Sequence, residues 1–166
     1  RQQRLPGVRD VISTYRSVAI HFDPLTADVA AVRAALVNTG EKPSPMYSGR
    51  HVEVPVVYGG DAGPDLAEVA RFSGLTEAEV MRRHSEPRYR VFMLGFMPGF
   101  PYMGEVDPAI AAPRRSTPRL SVVSGAVGIA GSQTGIYPRE TPGGWQIVGR
   151  TTLTLFDEES EQPALF

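Results

Sequence analysis

The chain has 166 residues, a formal net charge of −1 and no cysteine. The small net charge excludes a bulk electrostatic attraction to nucleic acid or to a membrane surface. The lack of cysteine excludes a disulfide scaffold, a thiolate zinc site and a cysteine nucleophile. Since we find neither a bilayer-length apolar run nor a signal-peptide pattern, we expect a soluble cytoplasmic protein.

Residues 1–48 predict a small α+β lobe. Two alternating runs, 11–15 and 17–22, are typical of β-strands. The apolar positions of 27–37 follow one face of a helix. Two strands and one helix bury little apolar area by themselves, so we expect this lobe to be incomplete. The Pro, Ser and Gly residues of 41–50 predict a linker after it.

Residues 49–166 predict a larger unit that is mainly β. It begins with an alternating run at 51–58, followed by two short helices at about 65–74 and 76–85. Thr76 is the expected N-cap of the second helix. A helix-turn-helix DNA-binding motif is disfavoured because the second helix carries few basic residues. We therefore expect the helix pair to pack against a sheet.

The remainder of the chain predicts short strands separated by Gly/Pro turns. The expected strands are 89–94, 121–123, 127–130, 145–148 and 153–156. Many short strands with such turns are typical of a barrel or a sandwich. The last ten residues are acidic and predict a tail.

An aromatic segment at 95–104 alternates turn-forming residues with large rings. Its candidate site residues are Phe96, Phe100 and Tyr102. Two interpretations are open, since these rings either line a ligand cleft or form the packed interior of an Ω-loop.

An arginine-rich segment follows at 113–119. It contains Arg114, Arg115, Thr117 and Arg119, and its prolines restrict the backbone. Arginines held in place suit bidentate capture of a carboxylate or phosphate. The alternative is a solvated charged loop.

Glycine-rich and turn residues at 125–146 complete the unusual region. Glycine-rich loops can expose backbone N–H groups to an anion, but no helix follows this one and it matches no nucleotide-binding fingerprint. The polar and aromatic candidates here are Gln133, Tyr137, Glu140 and Trp145.

The three histidines lie outside this region and show no metal-ligand spacing, so no metal site is predicted. His84 is expected at a helix C-terminus, where a cation is favoured. Taken alone, the residues indicate a rigid groove that binds a small anionic or amide-bearing ligand. They do not indicate the reaction.

Five motifs occur in order along the second half of the chain: GFMPGFPYMG (95–104), PRRSTPR (113–119), GSQTGIYP (131–138), PGGW (142–145) and GRT (149–151). This series resembles the allophanate hydrolase subunit 1 family, also known as the KipI-like family or the family of the 5-oxoprolinase B component. The likeness is nearly continuous from Val52 to Asp157. Upstream, PGVRDVI (6–12) and HFDPL (21–25) are similar to the end of the family's N-terminal lobe.

The resemblance implies a cyclophilin-like β-barrel preceded by a small ferredoxin-like lobe. This lobe is expected to be truncated, because the family's first strand and helix have no counterpart in this sequence. It implies a non-autonomous subunit of an ATP-dependent 5-oxoprolinase, which opens 5-oxo-L-proline to L-glutamate. The implied partners are the C component of that enzyme, an allophanate hydrolase subunit 2-like protein, and a third component. ATP is used by the complex, at a site that the motifs of this chain do not locate.

Two other functions are compatible with the resemblance. One is inhibition of a sensor histidine kinase, as in the KipI branch, through a surface such as the aromatic segment. The other is a carboxyltransferase subunit of the allophanate or urea carboxylase type. No sequence feature favours the latter over the 5-oxoprolinase.

The family motifs locate the cleft residues, and side-chain chemistry suggests their roles. Arg114, Arg115 and Arg119, with Thr117, are expected to hold a carboxylate or phosphoryl group. Gln133 and Tyr137 are expected to orient the amide, and Glu140 to act as a polar or acid/base group. The walls of the cleft are expected to be Phe96, Phe100, Tyr102 and Trp145.

Overall fold

A computed structural model describes residues 5–40 and 49–166. These residues divide into two compact units, one extending to His51 and the other from Val52 to Phe166. The predicted boundary at residue 48 and most of the predicted linker fall on residues 41–48, outside the described residues.

The first unit contains an antiparallel pair, β1 (Val8–Ser13) and β2 (Val18–Phe22), followed by α1 (Val29–Gly40). The helix begins two residues later than the sequence pattern predicts. The reason is Asp28, whose Oδ1 accepts hydrogen bonds from the N–H groups of Ala30 and Ala31 and so satisfies two free donors of the first turn.

The second unit is mainly β, as the sequence predicts. Its elements are β3 (Val57–Tyr58), α2 (Leu66–Ser73), α3 (Glu77–Ser85), β4 (Arg90–Leu94), β5 (Pro101–Gly104), a 3₁₀ helix (Pro108–Ile110), β6 (Arg119–Val122), β7 (Ala126–Ala130), β8 (Gln133–Ile136), β9 (Thr141–Gly143) and β10 (Gln146–Arg150). Six strands form an antiparallel sheet in the order β3-β10-β7-β8-β5-β4. Strands β6 and β9 pair separately.

The two helices of this unit pack on the sheet, which confirms the expectation for the pair. Thr76 caps α3, accepting a hydrogen bond from the N–H of Glu79 at 3.2 Å. Leu66 and Val80 belong to one buried cluster with Ile129 of β7 and Val148 of β10. Burying these apolar side chains joins the helix pair to the middle of the sheet.

Several predicted elements differ in the structure. Only the last two residues of the predicted strand 51–58 pair in the sheet; Pro55 has no N–H to donate to a ladder. The predicted strand 153–156 is reduced to a single bridge between Phe156 and Ala164. The predicted tail turns back at its end, where the Leu165 N–H donates to the Leu155 carbonyl at 2.9 Å.

None of the helices within residues 5–40 and 49–166 is long and apolar enough to cross a membrane.

Candidate active site

A small cavity of about 110 Å³ lies beside the aromatic segment of the second unit. It is lined by Phe96, Phe100, Tyr102, Arg114, Tyr137, Pro142, Gly143, Gly144 and Trp145. All the aromatic residues that the sequence places in the site therefore meet at one cavity. Arg114 alone of the predicted arginines joins them.

Phe100 is the centre of the aromatic packing. Its ring centroid lies 5.2 Å from that of Tyr137, 5.4 Å from that of Trp145 and 4.9 Å from that of Tyr102. The contacts with Tyr137 and Trp145 are edge-to-face, a favoured geometry for aromatic pairs. Phe100 is only 1% exposed. The same rings thus form part of a buried core and line one wall of the cavity. Residues 101–104 of the segment pair as strand β5, so an Ω-loop does not describe the whole segment, and the ligand-cleft interpretation stays a prediction.

Paired glycines make room for these rings. Gly128 of β7 lies opposite Gly135 of β8. A Cβ at Gly135 would lie 2.8 Å from Cζ of Phe100, and a Cβ at Gly128 would lie 3.0 Å from Cβ of Trp145. The glycine-rich segment is therefore a hairpin over which aromatic side chains pack. The backbones of β7 and β8 pair with each other along this hairpin, so the N–H groups used in that pairing are not free to bind an anion.

Phe96 stands at the rim of the cavity in an unusual conformation. Its φ is +65°, in the left-handed region that residues other than glycine seldom adopt. The ring is 60% exposed and makes edge contacts with Phe100 at 5.6 Å and Tyr137 at 6.4 Å between centroids. These contacts hold an otherwise disfavoured backbone and present an apolar ring at the opening.

Arg114 supplies the positive charge of the cavity lining. Its Cζ lies 5.8 Å from the centroid of the Trp145 ring, within cation–π range. Facing the same cavity, the Tyr137 hydroxyl has a pKa raised mainly by burial. Like any tyrosine with a pKa at or above the ordinary 10.0, Tyr137 is protonated at neutral pH and its hydroxyl can donate a hydrogen bond. The cavity lining combines aromatic walls, one cation and two tyrosine side chains, Tyr102 and Tyr137.

Arg115 and Arg119 do not line the cavity but converge on Asp65, which is 3% exposed. Arg115 Nη1 donates to Asp65 Oδ1 at 2.9 Å. Arg119 donates through both Nη atoms, at 2.8 and 2.7 Å. The anion that these two arginines hold is thus part of the protein itself.

Three further predicted residues lie apart from the cavity lining. Gln133 begins β8 and pairs across the sheet with Gly104 and Ala130. Glu140 is exposed and accepts a hydrogen bond from the Ser121 hydroxyl at 2.6 Å. Thr117 is exposed. The structure does not bring these three together with Arg114 and Tyr137, and their roles stay predictions.

His84 is buried and neutral, which corrects the expectation of a cation at a helix end. Burial lowers the pKa of His84 to about 4. The Thr134 hydroxyl donates to the Gly128 carbonyl at 3.0 Å, so it must accept from His84 Nε2 at 2.8 Å. Nδ1 is then the acceptor for the Tyr58 hydroxyl at 2.7 Å. This chain of hydrogen bonds fixes the neutral tautomer.

Sequence reasoning missed the roles of Asp65 and His84. The Pro64-Asp65 pair resembles an ordinary helix start, and only the fold shows that the carboxylate turns toward residues fifty and more positions away. The one sequence signal for the ion pair is the excess of arginine at 113–119, which calls for an acidic partner but does not identify it.

Within residues 5–40 and 49–166 no group of three or more His, Asp or Glu side chains could hold a metal ion. ATP, which the family resemblance implies for the complex, does not fit the glycine-rich segment. Its strands β7 and β8 pair with each other, the Phe100 ring packs against Gly135, and the side chains of Trp145 and Ile147 pack against Gly128.

A family model described as "Carboxyltransferase domain, subdomain C and D" matches residues 1–166. The chain belongs to this carboxyltransferase domain family, as the motif resemblance indicates.

Two curated relatives are named as the B component of 5-oxoprolinase. The Haemophilus influenzae protein is 51% identical over 119 residues, covering 72% of this chain and 56% of that relative. The Bacillus subtilis protein is 41% identical, covering 99% of this chain and 73% of that relative. This chain thus spans about half the length of the Haemophilus protein and about three quarters of the Bacillus one.

Two solved structures share the fold. TTHA0988 superposes with a TM-score of 0.76 and 39% identity, covering 99% of this chain and 32% of that one. The urea amidolyase of K. lactis gives a TM-score of 0.62 at 19% identity, covering 96% of this chain and 12% of that one. The second likeness concerns the fold alone.

Proposed function

We propose that this chain is the B component of an ATP-dependent 5-oxoprolinase that opens 5-oxo-L-proline to L-glutamate. The observation that carries the proposal is the similarity to the Bacillus subtilis protein of that name, which extends over nearly the whole of this chain. The proposal includes a cyclophilin-like barrel for residues 49–166, a ferredoxin-like lobe before it and a cytoplasmic location. It also includes the C component and a third component as partners, without which the chain is inactive.

The cavity has the chemistry that this substrate needs. 5-Oxoproline is a five-membered lactam ring that bears a carboxylate. The ring suits the aromatic walls formed by Phe96, Phe100 and Tyr102, and the carboxylate suits the guanidinium of Arg114. A volume of about 110 Å³ is well below that of a drug-sized pocket, so it selects a small molecule.

The protonated Tyr137 hydroxyl is proposed to orient the lactam carbonyl. A donor aimed at an amide oxygen stabilises the negative charge that develops there when the amide is attacked. A tyrosine hydroxyl is already protonated at neutral pH at its ordinary pKa of 10.0, and burial raises the pKa of Tyr137 further. Arg114 and Tyr137 would thus hold the two polar ends of one substrate.

ATP supplies the free energy needed to overcome amide resonance, and we propose that another component binds it. Gln133 and Glu140 lie outside the cavity lining. A catalytic role for either one requires that the assembled complex bring a reacting group to it. Arg115 and Arg119 act in the proposal through Asp65, not by direct contact with substrate.

Reconstitution tests the proposal. ATP hydrolysis and glutamate release are measured with 5-oxoproline, using this chain alone and mixed with the C component and the third component. We expect turnover only when all components are present. A stable heterocomplex without turnover would indicate a different amide substrate. Failure to form any complex would favour the kinase-inhibitor alternative, which inhibition of histidine-kinase autophosphorylation would then support.

A further inference from the structure

The carboxylate of Asp65 is saturated with hydrogen-bond donors. Oδ1 accepts from Arg115 Nη1 and Arg119 Nη2, while Oδ2 accepts from Arg119 Nη1 and the backbone N–H of Ile147. An ionised carboxylate offers about four acceptor positions, and here all four are used. The Asp65 side chain is 4% exposed. A buried charge with a complete set of partners fixes each of those partners in place.

Asp65 also joins its own helix to the sheet. The Asp65 N–H donates to the Ile147 carbonyl at 2.9 Å, and the Ile147 N–H donates back to Asp65 Oδ2 at 2.7 Å. This reciprocal pair links the start of α2 to β10 two residues after Trp145. One wall of the cavity is therefore tied to the residue that holds the two arginines.

The arginine segment is attached to the same wall by two more bonds. The Arg115 N–H donates to the Gly144 carbonyl at 2.8 Å. The Gln146 side chain donates to the Pro113 carbonyl at 3.1 Å. Arg114 lies between these attachment points, and its guanidinium is placed over Trp145. The side chain that would bind a carboxylate is thus carried on a backbone fixed from both sides.

We propose that Asp65 is a positioning residue for the cavity. It binds Arg115, Arg119 and β10 together, and so holds Arg114 over Trp145 before substrate arrives. Asp65 touches neither the cavity nor the reacting atoms, so its effect is on preorganisation of the anion-binding side chain. The part of the proposal that is tested by enzyme activity rests on the 5-oxoprolinase function proposed above.

Asp65→Asn tests this role because it keeps the size of the side chain and removes the charge. The amide has one oxygen acceptor, and its NH₂ group would face guanidinium donors. We expect the KM for 5-oxoproline of the reconstituted complex to rise at least about tenfold, with a smaller change in kcat. In the isolated chain without substrate, we expect a red shift of the fluorescence from Trp145, which is the chain's one tryptophan.

Glu68→Gln is the matched control. Like Asp65→Asn, it replaces a carboxylate that pairs with arginine by an amide, but the partner here is Arg71 of α2. The Glu68–Arg71 pair is exposed and lies outside the cavity lining. This variant is expected to keep the wild-type KM and emission. A folded Asp65→Asn protein that also keeps both would overturn the proposal, because a purely structural role would alter thermal stability alone.

Arg119→Lys provides a second route if Asp65→Asn does not fold. Lysine keeps the positive charge beside Asp65 but cannot make the two-pronged contact. We again expect a red shift of Trp145 emission without substrate, and wild-type emission from the folded variant would contradict the proposal. Failure of the wild-type complex to turn over 5-oxoproline would contradict the proposed function. The Trp145 fluorescence of the isolated chain would still test the role of Asp65, because it needs no substrate.

Discussion

The guanidinium of Arg114 lies over the indole ring of Trp145, with its Cζ 5.8 Å from the ring centroid. Trp145 is 4% exposed and packs edge-on against Phe100, so the surface beneath the guanidinium is rigid. A cation held against such a surface at the edge of a small cavity is suited to bind the carboxylate of a small ring-bearing substrate.

Arg114→Ala is expected to raise the KM for 5-oxoproline by about tenfold to a hundredfold, because a hydrogen bond to a charged group contributes about 1.5–3 kcal/mol. Steady-state kinetics of the reconstituted complex measure this. Arg90→Ala is the matched control. Arg90 makes a similar contact with the Phe92 ring, 5.6 Å from its centroid, but lies outside the cavity lining. Equal effects of the two substitutions would contradict the role of Arg114.

Gly143→Ala is expected to destabilise the protein, because a Cβ at this position would overlap the hydroxyl of Tyr137. Overpacking of this kind costs about 1–3 kcal/mol of unfolding free energy. The neighbouring Gly144→Ala is the control for stability, since its Cβ would meet Pro118 at an ordinary 3.6 Å. Denaturant titration of both variants measures the difference, and similar midpoints would show that the Gly143–Tyr137 contact does not constrain the site.

Arg119→Ala is expected to lower the unfolding free energy by about 3 kcal/mol, because it leaves the buried Asp65 carboxylate without two of its donors. The sequence analysis expects Arg119 to hold a substrate carboxylate or phosphoryl group, a role whose loss would leave the fold intact. The ion pair with Asp65 instead predicts a loss of stability. Arg71→Ala, which removes an exposed partner of Glu68, is expected to cost under about 1 kcal/mol. Thermal unfolding of the two variants separates them.

The stability of the fold is expected to fall as the pH drops from about 6.5 to about 4. His84 has a folded-state pKa of about 4 against an ordinary value of 6.5, so the unfolded chain binds its proton first. The contribution of neutral His84 to the unfolding free energy is fully present above the unfolded pKa of 6.5 and is lost as the pH falls to the folded pKa of about 4. The loss is about 3 kcal/mol, at 1.36 kcal/mol per pKa unit.

The pH dependence is checked by comparing wild type with His84→Gln across this pH range. The difference in unfolding free energy is expected to vary with pH for this variant. A flat difference for His84→Gln would show that the buried imidazole is not the group that titrates.

Local patterns anticipated the helices and many of the strands because those signals are short-range. Thr76 caps α3 where the sequence indicates it. Strand β8 was missed because it contains Gly135, which reads as a turn residue. The glycine is there because the Phe100 ring packs against that backbone from elsewhere in the chain. Long-range packing, which no local pattern encodes, converted an expected loop into a strand.

The site could be predicted only in part, because some of its residues form local motifs and others meet only through the fold. The aromatic residues and Arg114 are concentrated in recognisable segments, and the fold brings them to one cavity. The ion pair between Asp65 and Arg119 joins residues 54 positions apart. Nothing in the sequence near Asp65 distinguishes it from a helix cap, so the partner of the arginines emerged only from the fold.

The most direct measurement is ¹⁹F NMR of this chain labelled with 5-fluorotryptophan and assembled with unlabelled partners. Trp145 is the one tryptophan of the chain, so a single resonance reports on the cavity wall. We expect 5-oxoproline to shift that resonance saturably, with a midpoint close to the KM, and Arg114→Ala to weaken the response. A complex that turns over 5-oxoproline while the resonance stays unmoved would show that the substrate binds elsewhere.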